Sequence, residues 1–81
     1  MQEPINREME NAIQVLREAG FEPEGKARLR HRFAKPGSQR KATVGKIRTS
    51  FYEVPAPGKS VMIAVMHNSD LARIRLLAFG E

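Results

Sequence analysis

Ile5, Met9, Ala12, Ile13 and Leu16 recur at steps of three and four. That period places them on one face of an amphipathic helix from about Asn6 to Ala19. Asn6 suits the N-cap, because its short side chain can accept from the first-turn N–H groups. Glu8 and Glu10 suit the positive end of the helix dipole, and Gly20 supplies a left-handed stop. Pro23 and Gly25 break the chain. From Lys26 to Phe33 the period becomes two. Ala27, Leu29, His31 and Phe33 share one side, and Lys26, Arg28, Arg30 and Arg32 share the other. This alternation predicts a strand with one face in the core and one in water, since a helix would scatter the arginines.

Lys35-Pro-Gly-Ser38 is a turn signal, with proline presetting φ and glycine supplying positive φ. Arg40 to Val54 is rich in β-branched and aromatic residues, but its parity changes near Gly45. Gly45 is therefore either a bulge in one long strand or the join between two short ones. Pro55-Ala-Pro-Gly58 marks a second turn. Ser60 to His67 is apolar at consecutive positions, as in a central strand. Asn68, Ser69 and Asp70 are three candidate N-caps. Leu71, Ile74, Leu77 and Ala78 fit a helix face, while Ala72, Ile74, Leu76 and Ala78 fit a strand. The caps favour the helix. The fold expected is α+β, one small domain over residues 1–81. An N-terminal amphipathic helix leads into an antiparallel meander of three to four strands, and a short C-terminal helix or strand closes it. The helices should pack on one face.

Composition supports a folded chain. Leu, Ile, Val and Phe supply 19 of 81 residues, above the roughly 20% below which highly charged chains tend to stay disordered. There is no cysteine, which excludes disulfides, thiolate metal sites and thiol catalysis. A small secreted scaffold would usually need such staples, so a cytoplasmic location is expected. No apolar run reaches the ~18–20 residues of a membrane span, and the acidic N-terminus does not read as a signal peptide. No metal and no cofactor are expected.

Charge is more informative than its net value of +5. Residues 1–24 carry a net −4 and residues 53–81 a net zero, whereas residues 25–52 hold nine basic residues and no acid. Such a polarised field suits a polyanion. The expected contacts are Lys26, Arg28, Arg30, Arg32, Lys35, Arg40, Lys41, Lys46 and Arg48, meeting phosphates from a basic hairpin. Ser38 and Gln39 at the hairpin tip add polar contacts. Tyr52 is the best stacking candidate. With five aromatic residues in all, a backbone-dominated mode on duplex fits better than reading of a single strand. The bland alternative is a solvated charged face.

His31 and His67 are the only histidines. Two histidines without a carboxylate or thiolate make a poor metal site. The sharper reading of His31 is a general acid/base beside phosphate-binding arginines. Gly20-Phe21, then His31, Phe33 and Pro36, then Arg40-Lys-Ala-Thr-Val44, resemble the HicA-type mRNA interferase toxins over about 25 residues. That resemblance implies an α-β-β-β-α, double-stranded-RNA-binding-like fold and a ribonuclease histidine. Leu29-Arg30-His31 stands where that family carries Gly-Ser-His.

The function expected is a non-enzymatic, nucleic-acid-binding regulatory protein of bacterial or phage style. The rival is a protein-binding inhibitor whose basic face meets an acidic or nucleic-acid-binding surface of a host complex. A small ribonuclease is third. A homodimer is a further expectation, with the acidic first helix against the basic strands of a second copy and Leu76, Leu77 and Phe79 adding an apolar contact.

Overall fold

The computed structural model describes residues 6–27 and 30–80, without the side chains of Lys26 and Ala27. Asn6 caps the first helix as its chemistry predicts, its Oδ1 accepting from Met9 N–H at 2.8 Å. Helix α1 runs Arg7–Glu18 and buries Met9, Ala12, Val15 and Leu16. Gly20, at φ 99°, turns the chain back so that Phe21 N–H donates to Leu16 C=O at 2.9 Å.

Five strands follow: β1 Glu22–Ala27, β2 Arg30–Ala34, β3 Arg40–Val44, β4 Arg48–Ala56 and β5 Lys59–His67. Helix α2, Leu71–Phe79, closes the chain with Asp70 as its N-cap, accepting from Arg73 N–H at 3.3 Å. The strands form one antiparallel sheet in the order β1-β2-β3-β4-β5. The α+β class, the meander and the C-terminal helix are as expected.

Two expectations are corrected. The sheet has five strands, not three or four. Pro23 and Gly25 do not end an element but lie inside β1, and the alternating run from Lys26 is divided, because Ala27 pairs with Arg30 and the chain reverses between them. Proline is tolerated there because β1 is an edge strand, and the ladder shifts register between Pro23 and Gly25. Gly45 proves to be the join between two strands. The second correction concerns β5. Its apolar sequence reads as a central strand, yet it lies at the opposite edge of the sheet.

The core sits between the two helices and one sheet face. Phe33, Ala42, Val44, Phe51 and Met66 from the strands meet Ile74 and Ala78 of α2 and the buried face of α1. Phe21 packs edge-on to Phe51, with centroids 6.2 Å apart. Among the described residues, no helix or strand covers the other face.

Candidate nucleic-acid interface

Residues paired across an antiparallel ladder share a face. The register therefore defines the open side. Arg32, Thr43, Ser50 and Val65 form one row across β2 to β5, and Lys41, Tyr52 and Met62 form the next. Arg48 pairs with His67 at the far end. Arg30 lies two residues before Arg32, ~6.7 Å away and on the same side.

Two adjoining hollows follow these rows. One, of about 520 Å³, is lined by Arg30, Thr43, Lys46, Arg48, Ser50, Met62 and Val65 among others. The second, of about 310 Å³, shares Arg30, Thr43, Ser50 and Met62 and adds Arg32, Tyr52 and Ser60. Among the described residues, no acid lines either one. Arginines and Lys46 surround an uncharged floor of hydroxyl, thioether and aliphatic groups. Tyr52 is half-buried in that floor.

The β3–β4 loop, residues 45–47, is held from beneath. Asn68 is fully buried, and its Nδ2 donates to Gly45 C=O at 3.0 Å. Its Oδ1 accepts from buried Thr49 Oγ1 at 2.6 Å, and its N–H donates to Ile47 C=O at 2.8 Å. Asn6 Nδ2 adds a bond to Lys46 C=O at 3.1 Å. These contacts fix the main chain that presents Lys46 and leads into Arg48.

The predicted basic residues thus separate into groups. Arg30, Arg32, Lys46, Arg48 and Tyr52 gather on the open face. Lys41 shares that face, but its Nζ is 2.7 Å from Glu24 Oε2. Lys35 and Arg40 turn to the helix side. Lys35 Nζ donates to Ala78 C=O at 3.1 Å and lies 5.7 Å from the Phe21 ring centroid. Arg40 Nη1 donates to Leu77 C=O at 2.8 Å and to Gly80 C=O at 3.4 Å, and its Nη2 meets Glu53 at 3.1 Å. Both cations thereby satisfy the carbonyls and negative dipole end of α2. Arg28 and the side chain of Lys26 lie outside the described residues.

His31 pairs with buried Val44 and faces the helices, opposite Arg30 and Arg32. His67 lies two strands beyond β3 and on the other face, so the two rings are not neighbours. His67 Nδ1 instead lies 2.7 Å from Ser69 Oγ. Among the described residues, no cluster of three or more His, Cys, Asp or Glu side chains could hold a metal ion. Likewise, no helix among them is long and apolar enough to cross a membrane.

Sequence reasoning missed Thr43, Ser50, Met62 and Val65, since their place in the floor depends on register across four strands. Asn68 was read only as a cap candidate. Neither protein-family models, nor curated proteins, nor solved structures give a significant match to this chain.

Proposed function

We propose that the open sheet face binds nucleic acid through its phosphates, with duplex preferred. One observation carries this reading: Arg30, Arg32, Lys46 and Arg48 line two adjoining shallow hollows that no acid among the described residues lines. Guanidinium groups spaced ~5–7 Å apart by the strand grid can meet successive phosphates with paired hydrogen bonds. Among the described residues, Tyr52 is the one aromatic ring that lines these hollows, which is little stacking surface for a single strand. Thr43 and Ser50 add hydroxyl donors.

A second reading is an acidic protein surface. The Met62 and Val65 floor favours it, because methionine and arginine are both enriched at protein interfaces. His31 faces away from the arginines, so this reading is of a binder and not of a ribonuclease.

Fluorescence anisotropy with labelled duplex and single strands at several salt concentrations tests it. Four phosphate contacts predict a log–log salt slope of about −3 to −4 on duplex. Arg30→Ala with Arg32→Ala should make that slope about 2 units shallower. His31→Ala should leave binding unchanged. No binding at low salt would overturn the proposal and turn the search to acidic proteins.

A further inference from the structure

We propose that β5 pairs edge to edge, antiparallel, with β5 of a second copy of this chain. One side of β5 is hydrogen-bonded to β4, and no strand among the described residues pairs with the other. Its side chains are unusually exposed for their chemistry: Val61 56%, Met62 60%, Ile63 37% and Val65 45%. From Ser60 to Met66 there is no charge, proline or glycine. Edge strands are normally guarded by such residues, and a long unguarded apolar edge is a template for another strand. The β4–β5 ladder shifts register twice, and Ile63 is the extra residue between the paired Ala64 and Met62. The sequence of β5 reads as a central strand, and this pairing would make it one.

A second copy is the partner that needs no other sequence. Antiparallel pairing of identical strands has a two-fold axis perpendicular to the sheet. That axis keeps both helix layers on one side and both open faces on the other, giving a continuous ten-stranded sheet. Charge does not oppose the contact. With strands ~4.8 Å apart, β4 of one copy, which carries Arg48, lies ~14 Å along the sheet from β4 of the other. This exceeds the ~8 Å screening length at physiological salt. By the same count the two β2 strands, with their arginines, lie ~34 Å apart along the sheet. One duplex turn is about 34–36 Å, a match whose use rests on the nucleic-acid reading above.

Sedimentation velocity without nucleic acid, at micromolar concentration, separates this proposal from that reading. The native chain should be a dimer. Val61→Lys with Ile63→Lys should be a monomer with an unchanged circular dichroism spectrum. A monomeric native chain overturns the proposal, as does a dimer that survives both lysines. Because the chain lacks cysteine, oxidation of single-cysteine variants at 61, 62, 63 and 65 checks it in a native-like background. At least one position should cross-link into a dimer, while Glu24→Cys on β1 should not. No cross-link from β5 would also overturn it. Loss of duplex binding in a chain that still dimerises would overturn only the nucleic-acid reading.

Discussion

The two edges of this sheet solve the same problem differently. Each presents unpaired main-chain groups, and each has an irregular ladder to its neighbour. The bulges therefore do not distinguish them; the side chains do. β1 carries Pro23, Gly25 and the charges of Glu22, Glu24 and Lys26 within six residues. β5 is nine residues long and uncharged between Lys59 and His67. One edge is protected against strand addition and the other is not, within one small sheet. This asymmetry allows a closed pair through β5 and stops growth at β1.

The largest expected effect breaks the anchor at the end of β5. Asn68→Ala leaves Thr49 Oγ1 and Gly45 C=O without their buried partner, and should cost about 2–4 kcal/mol in urea unfolding. A change below about 0.5 kcal/mol would show that the loop is held by other contacts. On β1, Gly25 has φ 142°. Gly25→Val should therefore destabilise by about 1–3 kcal/mol through backbone strain, since nothing lies where its Cβ would go. Thermal unfolding reads this directly. Pro23→Val with Glu24→Val should change stability by about 1 kcal/mol or less. It should nevertheless turn dimers into larger, open-ended species in sedimentation, because it removes the proline and the central charge that guard β1. Unchanged assembly would mean that the guards on β1 are not what stops growth. The smallest effect on folding should come from Val61→Lys, within about 0.5 kcal/mol at a concentration too low for dimers. A large loss there would mean that Val61 supports the monomer and not an interface.

The helices were legible because their signals are local. Asn6 and Asp70 sit beside the N–H groups they cap. Apolar spacing marks Met9, Ala12 and Leu16 of the buried stripe of α1, though it passes over Val15, leaves Ile13 only partly buried, and includes Ile5, which lies outside the described residues. The strand join at Gly45 left a parity change in the sequence. β1 was not legible, because proline and glycine are poor strand formers except at an edge, and edge position is set by the whole sheet. The same cause misplaced β5, since apolarity on both sides describes a strand that will be covered without saying by what. In the candidate site, alternation alone put Arg30 and Arg32 on one face. Lys35 and Arg40 carry the same charge signal as those arginines. Their partners are carbonyls of α2, 37 and 43 residues away in sequence for the 2.8 and 3.1 Å bonds, and no local pattern announces them.

The buried Asn68 network has a consequence for the thermodynamics of binding. A loop that presents cations usually loses main-chain freedom when its ligand arrives, at roughly 1–2 kcal/mol for each residue fixed. Here the carbonyls of Gly45, Lys46 and Ile47 are already bonded to Asn68 and Asn6. That conformational entropy is lost during folding. What remains for a ligand to order is the Lys46 and Arg48 side chains, about 0.5–1.5 kcal/mol each. On the reading proposed above, a loop fixed in this way with exposed Lys46 and Arg48 side chains would meet phosphates without reorganising its own main chain.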